Sequence, residues 1–210
     1  MPDFIFENSH RASGCRVIAG VDEAGRGPLA GPVVAGAVVL PEDFALAGLD
    51  DSKKLTAARR EGFYDVLLAD PRVRWASGLA DVEEIDRLNI LRATHLAMRR
   101  AVTALGAPPP DMALIDGLPV RDFPWPQQAL VKGDSLSLSI AAASIIAKVV
   151  RDRIMVQLDE ALPRYRFAAH KGYGTAAHLD ALQQYGPTAH HRRFFQPVAQ
   201  RLLDFGDAGT

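Results

Sequence analysis

Arg16-Val17-Ile18-Ala19-Gly20-Val21-Asp22-Glu23, then Ala24-Gly25-Arg26-Gly27-Pro28-Leu29-Ala30-Gly31, then Pro32-Val33-Val34-Ala35-Gly36-Ala37-Val38-Val39-Leu40, form the stretch from which the architecture follows. The short apolar run ending at two acids has the pattern of a buried strand, and the valine-rich run stopped by Pro41 has that of a second. A glycine- and proline-rich connector between two such runs predicts an antiparallel pair. Gly25 to Ala30 also matches, formally, the glycine fingerprint of dinucleotide-binding folds. That motif needs a helix next, whose N-terminus holds a pyrophosphate. Here a strand follows, so an enzyme of nucleotide cofactors is disfavoured. No Gly-Lys-Ser/Thr occurs, so a Walker A loop is absent too.

Outward from this pair, Thr56 to Asp70 has helical spacing and ends at Pro71, and Val73 to Leu79 reads as a third strand. Asp81 to Leu105 is expected as one long helix, with Ile85, Leu88, Leu91 and His95 near one face. Asp111 to Ile115 is a fourth strand leading into Asp116-Gly117, and Gln128 to Val131 a fifth. Ser135 to Leu158 is an alanine- and isoleucine-rich helix, apolar on more than one face, and Thr175 to Gln184 a short one. Strands first, then alternation, then helices predict an α/β fold with a mixed five-stranded sheet. From Arg164 onward basic, aromatic and histidine residues increase. We therefore expect a main domain over 1–163 and a small helical extension over 164–210.

At 210 residues, 48% hydrophobic and 23% charged, the chain is of ordinary globular composition and long enough to bury a core without a staple. Cys15 is its single cysteine, so no internal disulfide exists, which predicts a reducing, cytoplasmic setting. The first fourteen residues lack an apolar h-region, and no apolar run has the length of a membrane span. The net charge of -1 conceals an uneven distribution, so it does not exclude nucleic acid.

Acids end three strands. Asp22 and Glu23 close the first, Asp116 the fourth, and Asp134 follows the fifth just ahead of a helix. Each has an ordinary explanation alone: a solvated turn, an Asp-Gly turn, a helix N-cap. Neighbouring strand residues point to opposite faces, so Asp22 and Glu23 share one site only if the strand bends at Glu23. If the strands are neighbours, the acids converge, and such carboxylates repel unless divalent cations lie among them. Oxygen ligands suit Mg²⁺ or Mn²⁺ rather than zinc. Asp152 lies eighteen residues beyond Asp134, roughly 27 Å along a continuous helix, too far to share an ion; it is expected as an ion-pair partner. The glycine loop brings bare backbone near a ligand, and backbone groups can bond a ribose 2′-hydroxyl.

The run from Asp22 to Val34 resembles the signature of bacterial ribonuclease HII. So do Asp51 to Leu55, Ile115 to Gly117, Lys132 to Asp134, Ala142 to Asp152, His170 to Thr175 and His190 to Arg193, in the family's order. The resemblance implies a ribonuclease H-like fold and an endonuclease that cuts RNA paired with DNA, and 5′ of ribonucleotides embedded in duplex DNA. It implies that Asp22, Glu23, Asp116 and Asp134 are the metal-binding and catalytic acids, with Mn²⁺ or Mg²⁺ as cofactor. It also implies that Gly25, Arg26 and Gly27 read the ribonucleotide, with Tyr173 against the sugar. Phe194 departs from the pattern, since serine is expected there.

Lys53, Lys148 and Lys171 are candidate phosphate contacts. Between Ile146 and Tyr173 the basic residues are Lys148, Arg151, Arg153, Arg164, Arg166 and Lys171, extended by His170, His190, His191, Arg192 and Arg193. A local basic surface suffices for duplex binding. Gln200 to Phe205 loosely resembles a sliding-clamp-binding peptide, and an amphipathic helix end explains it equally well. The alternative to a nuclease is a non-catalytic nucleic-acid-binding module on the same fold.

Overall fold

The computed structural model describes residues 2–46, 48–49, 52 and 55–205, the last without its side chain. Five strands form one mixed sheet in the order β3-β2-β1-β4-β5. They are β1 (Ile18–Ala24), β2 (Val33–Val39), β3 (Arg74–Ala80), β4 (Met112–Asp116) and β5 (Gln127–Leu130). β1, β2 and β3 pair antiparallel, and β4 and β5 add in parallel beside β1. All five strands expected from the sequence are present, with bounds within three residues.

The helices are α1 (Ile5–Ala12), α2 (Ala57–Ala69), α3 (Val82–Leu88), α4 (Ile90–Ala104), α5 (Leu138–Ala161), α6 (Phe167–His170), α7 (Ala176–Tyr185) and α8 (Val198–Phe205). α4 covers one sheet face and α5 the other, so the central strands are buried on both sides. Ala19, Val21, Val33, Ala35 and Ala37 pack with Ala93, Ala97 and Ala101 of α4. Val38 packs with Ala142, Ala143 and Ile146 of α5.

α5 approaches the sheet so closely that β1 and β2 carry glycine beneath it. A Cβ on Gly20 would lie 2.1 Å from the Ser139 carbonyl carbon, and one on Gly36 2.3 Å from the Ala143 oxygen. The N-terminus of α5 is fixed by α1, which the sequence reading did not anticipate. Glu7 is fully buried there and accepts bonds from the Ser137 hydroxyl (2.6 Å), the Ser139 N–H (3.0 Å) and the Ser139 hydroxyl. A carboxylate at a helix N-terminus is favoured by the aligned peptide dipoles.

One expectation fails. The stretch from Asp81 to Leu105 is two helices, broken at Asn89, whose φ is 68°. The Asn89 side chain accepts from the Arg92 N–H and caps α4 (3.1 Å). The buried face of α4 is Ala93, Ala97, Met98, Ala101 and Val102, and Leu91 is exposed. Helical periodicity continues across the break, so only the backbone preference of asparagine for positive φ marks it.

Candidate active site

Parallel pairing sets the first two acids side by side. β1 and β4 run in register from Ile18↔Met112 to Val21↔Ile115, so Asp22 and Asp116 follow one step later at adjoining strand ends. Asp22 lies opposite Gly36 and shares the α5 face with it and with Gly20. Asp134 enters from a 3₁₀ turn, Gly133–Ser135, between β5 and α5. Ligand oxygens of Asp22, Asp116 and Asp134 all fall within 4.8 Å of one another. Asp22 and Asp134 are buried, and Asp116 is half-buried.

Backbone amides hold these carboxylates. The Glu23 N–H donates to Asp22 Oδ1 (2.6 Å) and the Gly133 N–H to Asp116 Oδ1 (2.7 Å). Ser137, not Asp134, caps α5. Octahedral Mg²⁺ or Mn²⁺, at about 2.1 Å per ligand, spans opposite oxygens about 4.2 Å apart. Oxygens within 4.8 Å of one another are compatible with a bound divalent ion. The donor set, all oxygen, fits hard divalent cations.

Glu23 is placed differently. β1 does not bend there, because Asp22↔Gly36, Glu23↔Ala35 and Ala24↔Val34 continue the ladder. The glutamate therefore leaves the strand on the α4 face and accepts from Arg26 Nη1 at 3.1 Å. Three of the four expected acids bring carboxylate oxygens within 4.8 Å of one another, and Glu23 pairs with Arg26. Asp152 pairs with Lys148 (2.7 Å), as an ion-pair partner should.

The glycine loop is positioned by two arginines from far along the chain. Arg192, fully buried, donates Nη1 to the Arg26 carbonyl (2.9 Å) and Nη2 to the Gly25 carbonyl (2.6 Å). It also reaches the Gly31 and Pro32 carbonyls. Arg151, equally buried, donates to the carbonyls of Pro32 (3.0 Å), Ala30 (3.2 Å) and Lys171 (3.1 Å). Burial, and next the charge of Arg151, push the Arg192 pKa down to about 9, so it is still protonated at neutral pH. Gly25 has φ +97°, and a Cβ there would strike the Arg151 side chain at 1.9 Å.

Sequence reasoning assigned Arg151 and Arg192 to the duplex-binding surface; the structure corrects this. Their guanidinium groups are spent on backbone carbonyls, and no phosphate can reach a fully buried fork. His170 and His191 leave that surface too, being buried with His178. The Gly172 N–H donates to His170 Nδ1 (3.2 Å), so His170 Nε2 carries the proton and donates to the Tyr165 carbonyl (2.8 Å). The Thr188 N–H donates to His191 Nδ1 (3.0 Å), so His191 Nε2–H donates to His178 Nε2 (3.0 Å). His178 Nδ1–H then donates to the Tyr173 carbonyl (2.9 Å). These tautomers follow from the hydrogen bonds. Desolvation lowers all three pKa values, that of His191 to about 3.

Tyr173, at the end of that chain, is half-exposed, and its ring lies 3.7 Å from where a Gly27 Cβ would sit. The Leu29 N–H donates to the Gly172 carbonyl (2.8 Å) and the Arg192 N–H to the Leu29 carbonyl (2.8 Å), tying the loop to the C-terminal segment. Arg26 and Gly27 are exposed. Lys148 and Lys171 line a separate recess of about 590 Å³ with Arg60 and Asp152; burial is the main cause that lowers the Lys148 pKa. Lys53 lies outside the described residues.

The family model for ribonuclease HII matches residues 19–198. This chain belongs to the ribonuclease HII family. It is 58% identical over 206 residues to the ribonuclease HII of Rhodospirillum rubrum, covering 96% of this chain and 92% of that one. It is 53% identical to the enzyme of Geobacter sulfurreducens, covering 94% and 90%. Among solved structures, that of the PCNA:RNase HII complex from Archaeoglobus fulgidus matches with a TM-score of 0.72 and 25% identity. It covers 86% of this chain and 96% of that chain. The fold is ribonuclease H-like, and the protein is a ribonuclease H-type endonuclease, a hydrolase. Its family is divalent-metal-dependent, and the aspartate cluster is compatible with that. Among the described residues, no helix is long and apolar enough to cross a membrane.

Proposed function

We propose that this endonuclease hydrolyses the RNA strand of RNA–DNA hybrids and cuts on the 5′ side of ribonucleotides embedded in duplex DNA, by two-metal-ion catalysis. The products carry 5′-phosphate and 3′-hydroxyl ends. One observation carries the reading: a three-aspartate cluster lies at the strand ends next to a glycine loop whose carbonyls are turned inward. Two Mn²⁺ or Mg²⁺ ions bound by Asp22, Asp116 and Asp134, with Glu23 reaching them around the end of β1, would supply activated water and a counter-charge for the leaving oxygen.

The rest falls to the chain's own groups. In a planar trans peptide the carbonyl and the following N–H point in opposite directions. By drawing the Gly25 and Arg26 carbonyls inward, Arg192 turns the N–H groups of Arg26 and Gly27 away from itself, toward the exposed side of the loop. There they would bond a ribose hydroxyl, the group that separates RNA from DNA. Tyr173 would pack against that sugar and fix its position. Lys148 and Lys171 would meet phosphates further along, and residues 164–210 would act as a substrate-contacting extension of the domain over 1–163.

The test is a DNA duplex carrying one ribonucleotide, with product ends mapped in Mg²⁺, in Mn²⁺ and in EDTA. Metal-dependent cleavage 5′ of the ribonucleotide is expected. Binding without products in either ion would instead support a non-catalytic module. A second reading concerns a partner: Leu203 on α8 is exposed, and the Archaeoglobus relative is known in complex with PCNA. We infer that α8 docks on a sliding clamp. Clamp binding unchanged by Leu203→Ala with Phe205→Ala would remove this reading.

A further inference from the structure

On the α4 side of the sheet, Arg92, His95 and Arg99 from α4 meet Arg121 and Asp122 from the β4–β5 loop around a pocket of about 190 Å³. At about 30 Å³ per water, it holds roughly six waters, enough for a phosphate group and part of its hydration. Three arginines face one acid there, and that acid is largely exposed, as is Arg121, 3.5 Å from it. The pocket is braced. Arg99 Nη1 donates to the Arg121 carbonyl (3.0 Å), and the Arg121 N–H donates to His95 Nδ1 (3.2 Å). With Nδ1 accepting, a neutral His95 carries its proton on Nε2 and is a donor there. Burial, then the charges of Arg99 and Arg26, lower the His95 pKa, as a cationic surround requires.

Position identifies the occupant's class. β4 ends at Asp116 and its following loop supplies Arg121, while α4 precedes β4 and begins at the same end of the sheet. The pocket therefore sits at the sheet edge that carries the aspartate cluster, on the opposite face, with Arg26 of the glycine loop near enough to act on His95. We propose that Arg92, His95, Arg99 and Arg121 form a second phosphate-binding site, which grips a backbone phosphate of the duplex at a distance from the bond being cut. This rests on the nuclease reading. A duplex engaged at Gly27 and Asp22 passes over the end of β1, and a cationic pocket beyond Arg26 meets its backbone there. Three arginines and an imidazole outweigh the exposed Asp122 in its lining, and they suit phosphate oxygens through N–H forks.

The measurement is hybrid binding in EDTA, where nothing is cut, across a salt series. For Arg92→Ala with Arg121→Ala, affinity for an 18-base-pair hybrid (about 60 Å long) should fall about fivefold to tenfold. The slope of log K against log salt should flatten by about 0.9 for each phosphate that is no longer neutralised. Arg164→Ala, away from the pocket, should leave both slope and affinity within about twofold. Arg92→Lys with Arg121→Lys should restore most of the slope, which separates charge from folding. An unchanged slope and affinity overturns the proposal. So does a pocket that takes inorganic phosphate while duplex affinity ignores the substitutions. If hybrids are cut in no divalent ion, the nuclease reading fails separately, and the EDTA binding data still decide the pocket.

Discussion

The two halves of the candidate active site are built by opposite means. At the aspartate end, strand register alone sets Asp22 against Asp116, and a three-residue turn brings Asp134 to them. At the glycine-loop end, position comes from Arg151 and Arg192, more than 100 residues away, whose forks gather the backbone carbonyls of the loop. One half is sheet geometry with chemistry on it. The other is a glycine-rich loop held by buried charge. The lesson is that rigidity in one part comes free with the fold, and in the other depends on a few side chains.

That contrast can be broken first at its chemical end. Asp22→Asn should lower hybrid cleavage by about 10³-fold, some 4 kcal/mol of barrier, while hybrid affinity in EDTA stays within a few-fold. The sheet is unchanged, so thermal stability should hold or rise, since one carboxylate of a crowded set is gone. Near-normal turnover would show that Asp22 is not a ligand. At the loop end the signature should differ. Arg192→Met leaves the Gly25, Arg26 and Gly31 carbonyls without their donor, Pro32 keeping Arg151, so kcat/KM should fall about 10²-fold and stability should fall with it, since each buried polar group stranded costs about 1–3 kcal/mol. Arg192→Lys should not rescue, because an ammonium cannot span carbonyls that a planar fork reaches together. Full rescue by lysine would mean that charge, not shape, holds the loop.

Acid sharpens the comparison with the smallest effect. The unfolded chain protonates histidine near pH 6.5, whereas folded His191 remains neutral to about 3. Between those values the unfolded state binds more protons, so stability is complete above about pH 6.5 and declines as pH falls. His170 and His178, lowered in the same direction, add to the decline. From pH 7 to 5 the melting temperature should drop by about 5 °C, on the order of 2 kcal/mol. In His191→Leu the slope should be shallower even if the starting value is lower. An equal slope would assign the acid response elsewhere.

The aspartate half was legible in the sequence because its signals are local. An apolar run ending in acid marks a strand end, and Gly25 to Pro32 followed by valines marks an antiparallel return. The loop half was not, for a physical reason. Arg192 meets its partners across 160 or more residues, and nothing beside it distinguishes an arginine bound to carbonyls from one bound to phosphate. The only hint was indirect: a glycine- and proline-rich loop offers carbonyls that secondary structure does not satisfy, and something must donate to them. Glu7 was equally silent, as an acid in a polar N-terminal segment. Asp22 and Glu23, neighbours on the unbroken ladder of β1, leave it on opposite sides.

Gly20 and Gly36 have a consequence for ion affinity. Because α5 rests directly on two hydrogen atoms, the depth at which Asp134 hangs over Asp22 is gauged by the missing methyl groups beneath the helix. The spacing of the aspartate cluster is thus set in the sheet several residues away, at positions that carry no carboxylate. A single added carbon at Gly36 would lift the helix and widen that spacing while every aspartate stayed in the sequence.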